Sequence, residues 1–412
     1  MRLPPALRHR NYRLWFAGQG LSVLGTWMQR VAMHWLVYRL SDSEFLLGVS
    51  GLVSQVPILL LAPLGGWCAD RFDRRRLLAL TQGLAMLQAV VLAALTYTGH
   101  VTVWQVIALG GLLGAINAFD TPLRQSFAVD LVGHRDDLAS AIALNSLVNN
   151  SGRLIGPSIA GVIVLLYSEG ACFAVNAASY LAVLGAIALI RIAPQREGRR
   201  RAPARGGIRE GIAIARRSLP IRSVLALIAA VSFCVMPYVV LMPAYVDRVL
   251  GGGAHTMGFM LSAAGVGAVC ATAYLAWRSS TLGLAGLIAG ASLTAGAALA
   301  VFALSGNFWL SAVCMVAVGG GVILTGASAN TVLQSIVDDE MRGRVASFYT
   351  MAFIGVSPLG ALALGAAAEV AGIQAVFAAA GAGCVVAALV FMRRLPALRA
   401  AIAADRPGLP LP

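Results

Sequence analysis

Long apolar stretches follow one another along this chain, and they restrict its possible folds more than any other feature. A helix needs about 20 apolar residues to cross the hydrocarbon core of a bilayer. Hydrophobic residues occupy 59% of the 412 positions and charged residues 12%, which is too few to cover the surface of a soluble protein of this length. The sequence predicts an all-α membrane protein with twelve transmembrane helices, at approximately 11–38, 45–68, 77–98, 102–124, 141–166, 171–192, 222–246, 255–277, 281–304, 307–330, 344–367 and 372–393.

Positive charge is distributed unevenly around these predicted spans. All 31 basic residues are arginine, and 27 of them fall in the N-terminal segment, the even-numbered connections or the C-terminal tail. Because cytoplasmic loops of membrane proteins carry an excess of Lys and Arg, both termini are expected in the cytoplasm. The net charge of +14 is then explained by orientation and by contact with anionic membrane lipids, rather than by nucleic-acid binding.

The longest connection divides the chain into two predicted halves. It runs from Arg191 to Arg222, between the sixth and seventh spans, and contains ten arginines. We expect an N-terminal six-helix half at 1–192, a cytoplasmic linker at 193–221, and a C-terminal six-helix half at 222–412 that includes a short cytoplasmic tail. A short internal similarity, between Thr121–Ser126 after the fourth span and Thr331–Ser335 after the tenth, fits two parallel halves that enclose a site near the bilayer midplane.

The connection after the second predicted span carries the sharpest motif, Gly66-Trp-Cys-Ala-Asp70-Arg71-Phe-Asp73-Arg74-Arg75-Arg76. Gly66 would allow two helices to approach closely. Asp70 can accept hydrogen bonds or face a helix N-terminus, and Arg74 can offer two parallel hydrogen bonds to a carboxylate.

This motif resembles the signature loop of the major facilitator superfamily of membrane transporters, in which Gly, Asp-Arg and a basic cluster occur at this spacing. The resemblance implies that Asp70, Arg71 and Arg74 belong to a gate on the cytoplasmic side, and that an acid near the end of the fourth span, here Asp120, pairs with Arg74. Asp73 departs from the family pattern, which more often has Gly there, so the turn is expected to differ. A plain run of cytoplasmic charge and an isolated helix-end carboxylate are the alternatives.

A second motif lies in the fifth predicted span, Gly152-Arg-Leu-Ile-Gly156-Pro157-Ser-Ile-Ala160-Gly161. Proline removes one backbone hydrogen bond and kinks a helix, and the flanking glycines make room for the bend. The run resembles the antiporter signature of exporters in the same superfamily, which implies export. The alternative is a packing kink that carries no information about direction.

Polar stripes interrupt the apolar character of the first and fifth spans. Ionisable groups inside a bilayer are costly, so they are functional candidates by default. The candidate cavity residues of these stripes are Gln29, Arg30, His34, Asn145, Asn149 and Arg153. Two arginines that face one water-filled cavity would suit an anionic or polyhydroxylated substrate.

Each of these groups also has a structural interpretation. Arg30 could extend outward to the membrane surface, and Arg153 could pair with Asp120. His34 could be an ordinary interfacial hydrogen-bonding residue or a proton-linked switch. The sequence leaves these alternatives open.

The C-terminal half has no charge deep in its predicted spans, so it is expected to contribute an apolar and aromatic surface that includes Tyr238 and Phe353. The six cysteines are scattered without metal-like spacing. A phosphate-binding loop needs a lysine, which this chain lacks. We therefore expect neither an enzyme, nor a metal site, nor a cofactor.

Further segments, Asn117–Gln125, Ala143–Ser146 and Met341–Val345, resemble the branch of the superfamily that contains bacterial enterobactin exporters and related siderophore or drug exporters. The resemblance implies a monomer in the bacterial inner membrane that exports a small molecule, a siderophore, by alternating access. Proton antiport would drive it, with Asp120 as the expected proton carrier. A multidrug or lipophile exporter and an uptake permease are the alternatives.

Overall fold

The computed structural model describes residues 4–132, 137–190, 218–278, 282–337 and 339–405. Most of the predicted linker, 193–221, lies outside the described residues. Within them the regular structure is helical, with no strand. After a 3₁₀ turn at Pro5–Arg8, the α-helices are α1 Arg10–Ser41, α2 Glu44–Arg71, α3 Arg74–Tyr97, α4 Val103–Asp130, α5 Leu138–Leu166, α6 Glu169–Leu189, α7 Leu219–Cys234, α8 Tyr238–Arg248, α9 Ala254–Trp277, α10 Leu284–Leu304, α11 Phe308–Ser335, α12 Asp339–Thr350, α13 Val356–Ala371 and α14 Ile373–Asp405.

Ten helical stretches of the described chain are long and apolar enough to cross a membrane. They are α2, α3, α4, α6, the pair α7–α8, α9, α10, α11, the stretch Met341–Ala371 and the part of α14 that ends at Leu398. The long helices α1 and α5 are not among the ten, because polar side chains such as Arg30 and Asn149 interrupt their apolar character. The prediction of an all-α, multi-pass membrane protein is confirmed, whereas the number twelve stays a prediction.

The described residues fall into two compact units. The first contains those within Met1–Asp42, Leu52–Ala202 and Gly252–Ser262. The second contains those within Ser43–Gly51, Pro203–Gly251 and Ala263–Pro412. The first residues of α2 are therefore grouped with the second unit, and the first turns of α9 with the first unit.

Buried aromatic and aliphatic side chains pack α1, α3, α4 and α6 together in the first unit. Trp15 of α1 meets Phe127 of α4 edge-on, with ring centroids 5.1 Å apart. Leu78 of α3 and Ile187 of α6 lie in the same buried cluster. Because lipid tails are as apolar as these side chains, this packing stabilises through close contact rather than through exclusion of water.

Glycines set the closest helix contacts in both units. In the first unit a Cβ at Gly65 of α2 would overlap the carbonyl oxygen of Ala118 in α4. In the second unit a Cβ at Gly319 of α11 would overlap the carbonyl oxygen of Ala264 in α9. Small residues allow backbones to approach this closely, and no larger side chain fits without movement of a helix.

Candidate functional site

Trp27 of α1 lies beside two arginine side chains in the first unit. The guanidinium carbon of Arg30 is 4.7 Å from the centroid of the Trp27 ring, and that of Arg153 on α5 is 5.4 Å from it. A cation over an indole face is stabilised by about 0.5–1 kcal/mol when exposed and by about 2 kcal/mol when desolvated. The indole ring therefore brings two positive charges of different helices to one place.

The second motif of the sequence positions Trp27. A Cβ at Gly152 would lie 2.7 Å from Trp27 Cδ1, and a Cβ at Gly156 would lie 2.7 Å from Trp27 Cβ. Both glycines are buried, so α5 can approach α1 closely only because they lack side chains. This contact is what places Arg153, which follows Gly152 directly, next to the Trp27 ring.

The remainder of that motif packs α5 against the start of α9, still within the first unit. A Cβ at Gly161 would lie 2.7 Å from the carbonyl oxygen of Ala254. A Cβ at Gly258 would overlap the carbonyl oxygen of Pro157, and Ser158 Oγ donates to Ser262 Oγ at 2.6 Å. The antiporter-like glycines and proline thus form two helix contacts, α5 with α1 and α5 with α9.

Neither arginine beside Trp27 forms an ion pair with any described residue. Arg30 is exposed and Arg153 is half-buried. The alternative that Arg153 is tied to Asp120 is not observed, because the partner of Asp120 is Arg124. Two positive charges that lack an acidic partner are a strong attractor for an anion, since charged groups inside a membrane protein need a partner.

The remaining candidate residues of α1 and α5 differ in their surroundings. His34, one helical turn beyond Arg30, is buried, and its Nδ1 has no hydrogen-bond partner in the described structure. Asn149 is exposed and donates from Nδ2 to the carbonyl oxygen of Asn145 at 2.9 Å, and Asn145 is half-buried. These three side chains therefore remain candidates for a cavity.

Gln29 does not belong to that cavity, and this corrects the prediction from the sequence. It is fully buried, its Nε2 donates to Gln88 Oε1 at 2.9 Å, and its Oε1 accepts from Asn176 Nδ2 at 2.7 Å. Adjacent residues on a helix point in directions about 100° apart, so Gln29 and Arg30 face different neighbours. Gln29 joins α1 to α3 and α6 as part of the framework.

The first arginine of α3 has an acidic partner that the sequence analysis missed. Arg74 Nη1 donates to both carboxylate oxygens of Asp130, at 2.8 and 3.1 Å, and Arg74 Nε donates to the carbonyl oxygen of Ala69 at 3.0 Å. Asp70 lies farther away, at 3.9 Å from Arg74 Nη2, and its side chain is 81% exposed. The sequence offered one indication of this pair, the acidic residue Asp130 at the end of the helix that follows α3.

The expected pair of Arg74 with Asp120 is wrong. Asp120 is buried and accepts from Thr81 Oγ1 at 2.9 Å and from Gln82 Nε2 at 2.7 Å, while Arg124 Nε lies 2.7 Å from its second oxygen. Asp120 precedes Asp130 by ten residues, which is about 15 Å along a helix. That offset places Asp120 beside the second and third turns of α3 rather than beside its first residue.

Other residues of the loop motif also have roles that differ from the expectation. A Cβ at Gly66 would meet nothing within 4 Å, so the close helix contact expected there belongs to its neighbour Gly65. Asp73 accepts from the backbone nitrogen of Arg76 at 2.8 Å and caps the start of α3. Arg71 lies over the ring of Trp67, 5.4 Å from its centroid.

The aromatic candidates Tyr238 and Phe353 both belong to the second unit. Tyr238 is half-buried and begins α8, after the chain leaves α7 at Cys234. Phe353 lies in a π-helical turn, Met351–Gly355, and stacks on Tyr349 with centroids 5.6 Å apart. Such turns frequently mark functional sites in α-helices, so the stacked pair is a candidate apolar contact surface.

A cavity of about 480 Å³ opens at the other end of the first unit, away from the loop motif. Arg39 and Glu169 line it, and Arg39 Nε and Nη2 donate to the two carboxylate oxygens of Glu169 at 2.7 and 3.2 Å. Trp35, Tyr167 and His255 also line it. Within the described residues, no cluster of His, Cys, Asp and Glu could hold a metal ion.

Comparison with known proteins shows that this chain is related to membrane transporters. The profile of the family described as "Transmembrane secretion effector", within the major facilitator superfamily, matches residues 3–410. The staphyloferrin A transporter of Staphylococcus aureus is 28% identical over 92% of this chain and 95% of its own length. The enterobactin exporter EntS of Shigella boydii is 23% identical over 95% of this chain and 93% of its own length. The multidrug efflux pump Tap of Mycolicibacterium fortuitum is 24% identical over 88% of each chain.

Solved structures of transporters share the fold. A peptide transporter in complex with alafosfalin superposes with a TM-score of 0.76 at 16% identity, over 97% of this chain and 96% of the other. The nucleoside transporter NupG superposes with a TM-score of 0.75 at 14% identity, over 93% of this chain and 98% of the other. These likenesses concern the fold alone.

Proposed function

We propose that this chain, which belongs to the transmembrane secretion effector family of the major facilitator superfamily, exports a siderophore across the bacterial cytoplasmic membrane in exchange for protons. The chain is a membrane transporter and not an enzyme, like its family and the relatives named above. Two of those relatives carry siderophore transport or export in their names, and both are matched over more than nine-tenths of this chain.

The proposed topology has twelve transmembrane helices, with both termini in the cytoplasm and a monomer as the working form. The ten apolar stretches account for ten of them, and α1 and α5 are the other two. A span that lines a water-filled path tolerates polar side chains, which is why these two helices are less apolar than the rest. The N-terminal half then covers 1–192, the linker 193–221 and the C-terminal half 222–412.

The observation that carries the choice of cargo is the pair of unneutralised guanidinium groups beside Trp27. A planar guanidinium group binds a carboxylate through two parallel hydrogen bonds, and the indole ring offers a flat apolar surface between Arg30 and Arg153. Export precedes iron capture, so the cargo is metal-free. Carboxylates are ionised at neutral pH, whereas phenols, with a pKa of about 10, are not. The site therefore favours a carboxylate siderophore over a neutral catechol.

The proposed mechanism is alternating access, in which the two six-helix halves expose a central site to one side at a time. The Arg74–Asp130 ion pair and the Asp120 cluster with Thr81, Gln82 and Arg124 lie at one end of the first unit and hold α3 against α4. In the proposed orientation that end is cytoplasmic. These bonds would stabilise one of the two states of the cytoplasmic gate.

A lipophile exporter is the second candidate function. The stacked Tyr349–Phe353 pair and the half-buried Tyr238 offer aromatic surface in the second unit. The multidrug efflux pump Tap is among the relatives. For such a cargo, contacts with aromatic rings would contribute more to binding than the arginines of α1 and α5.

Uptake by everted membrane vesicles tests the proposal, because uptake there corresponds to export from cells. The probes are metal-free staphyloferrin A, metal-free enterobactin and the lipophilic cation ethidium. Energised vesicles that contain this chain should accumulate staphyloferrin A most strongly, and collapse of the proton gradient should stop accumulation. Accumulation of ethidium alone would support the lipophile exporter, and loss of preloaded siderophore would support an uptake permease.

A further inference from the structure

We propose that Glu44, at the start of α2, is the residue that carries the exchanged proton, as one member of a carboxyl pair with Glu369. The inference rests on the proposed proton antiport. It replaces the expectation from the sequence that Asp120 has this role.

Three acidic side chains in the described structure are almost completely buried, and their partners differ. Asp120 accepts from Thr81 and Gln82 and forms an ion pair with Arg124. Glu169 accepts two hydrogen bonds from Arg39. A carboxylate with several donors keeps its negative charge, because each donor stabilises the ionised form. In Asp120 and Glu169 both carboxylate oxygens therefore have a donor or basic partner.

Glu44 differs from the other two, because its carboxyl group has an ion pair but no hydrogen bond with a described residue. Its side chain is 1% exposed, and Arg248 Nη1 lies 2.5 Å from its Oε1. Neither oxygen of Glu44 accepts a hydrogen bond from the part of the chain that the structure describes. A buried polar group without a hydrogen bond is rare in a folded protein and needs an explanation. Protonation of the Glu44 carboxyl group provides such an explanation, because a protonated carboxyl group donates a hydrogen bond.

Glu369 of α13 provides the acceptor for such a donor. Its carboxyl group is hydrogen-bonded to Ser43 and Phe45, the residues on either side of Glu44. Its Oε2 already accepts from Ser43 Oγ at 3.0 Å and from the backbone nitrogen of Phe45 at 3.1 Å, so Glu369 remains an anion that caps α2. When two carboxylates lie close together, repulsion between their negative charges favours retention of one proton, here by the buried Glu44.

The charged groups that act on Glu44 are Arg248 from α8 and Glu369 from α13. With one proton on the carboxyl pair, the single remaining negative charge is balanced by the Arg248 guanidinium. Without that proton, two carboxylates, the buried one of Glu44 and the exposed one of Glu369, face one guanidinium. The pair therefore has two states that differ in net charge.

The carboxyl pair lies beside a close contact between α2 and α13. A Cβ at Gly48 would lie 2.5 Å from the carbonyl oxygen of Ala361, and a Cβ at Gly365 would lie 2.5 Å from the carbonyl oxygen of Glu44. Loss of the proton would place repulsion directly across this contact and favour its separation. In the proposed orientation this end of α2 is the outer end, where an antiporter takes up its proton.

Infrared difference spectroscopy on the purified full-length protein tests whether Glu44 is protonated, and it needs no cargo. The wild-type protein at neutral pH should show a protonated-carboxyl band that shifts in heavy water and disappears as the pH is raised. Glu44→Gln should lack this band and Glu44→Asp should retain it. The matched control Glu169→Gln, which alters a buried glutamate with two donor bonds, should leave the band unchanged. An identical band in Glu44→Gln and the wild type would overturn the proposal.

Transport in proteoliposomes tests whether this proton is the exchanged one, with the two siderophore probes defined above. Glu44→Gln should lose transport driven by a pH gradient by at least tenfold, while exchange of labelled for unlabelled probe stays within about twofold of the wild type. Glu44→Asp should restore part of the gradient-driven transport. If a pH gradient does not drive transport by the wild type, the proposed antiport is wrong. If a pH gradient drives transport by the wild type and by Glu44→Gln equally, the assignment of Glu44 is wrong.

Discussion

Arg74, the first residue of α3, donates from Nη1 to both carboxylate oxygens of Asp130, the last residue of α4, at 2.8 and 3.1 Å. The ion pair joins two helix ends that no other described ion pair connects. Asp70, the acid of the loop motif, is 3.9 Å away and mostly exposed.

We therefore expect Asp130→Asn to impair transport more than Asp70→Asn does. Removal of the carboxylate charge leaves the half-buried Arg74 without its close partner, at a cost of about 1–3 kcal/mol to the state that contains the pair. The measurement is the transport rate of each variant at matched amounts of inserted protein. Arg74→Ala should resemble Asp130→Asn, and a larger defect in Asp70→Asn would contradict the observed pairing.

Two neighbouring glycines of α2 provide a matched pair of substitutions. A Cβ at Gly65 would overlap the backbone of Ala118, whereas a Cβ at Gly66 would meet nothing. Gly65→Ala should lower the melting temperature of the detergent-solubilised protein, because α2 and α4 must separate. Gly66→Ala should leave it unchanged or raise it slightly, since alanine restricts the unfolded chain. Equal effects of both substitutions would contradict the α2–α4 contact.

The arginines beside Trp27 predict a selectivity between cargoes. Arg30→Ala and Arg153→Ala should each weaken the transport of an anionic carboxylate siderophore by about 5- to 150-fold, which corresponds to about 1–3 kcal/mol. Ethidium transport, where present, should be maintained. Lysine should not substitute fully, because it lacks the planar fork of arginine. The control is Arg278→Ala, a half-buried arginine of the second unit that donates to Tyr274. Equal losses for anionic and cationic probes would reject the proposed anion site.

Gln29 should behave as a framework residue. Gln29→Leu leaves buried amide groups of Gln88 and Asn176 without a partner, which should cost about 1–3 kcal/mol per group. The melting temperature should fall, while the apparent affinity for each probe stays the same. Asn149→Ala, which alters an exposed side chain, is the control and should have little effect on stability. A change of cargo preference in Gln29→Leu would contradict the framework role and indicate that Gln29 lines the cavity.

The arginine distribution predicts the orientation of the chain. Reporter fusions after Arg76, Gly206 and Arg399 should report the cytoplasm, because these positions follow or lie within arginine-rich segments. Fusions after Asp42 and His255 should report the outside. Labelling of a cysteine introduced at position 206 from the outside would contradict the proposed topology.

The sequence by itself determined the membrane class, the helical structure and most of the helix positions. Hydropathy is a local property, so a run of about 20 apolar residues has few alternatives to a spanning helix. Polar groups and glycines stand out from an apolar background. The sequence therefore also identified candidates for close packing, Gly152 and Gly156, and for the cavity, Arg30 and Arg153. The family followed from short motifs whose spacing is local as well.

The tertiary structure decided which of these residues meet. Arg74 pairs with Asp130 rather than with Asp120, because the axial offset between two neighbouring helices is not encoded in the pattern of either helix. Gln29 joins the framework while its neighbour Arg30 lies beside Trp27, because the rotation of α1 is set by the helices that pack against it. Glu44 stood out in no motif. Its burial beside Glu369 results from the approach of two helices that are more than 300 residues apart in the chain.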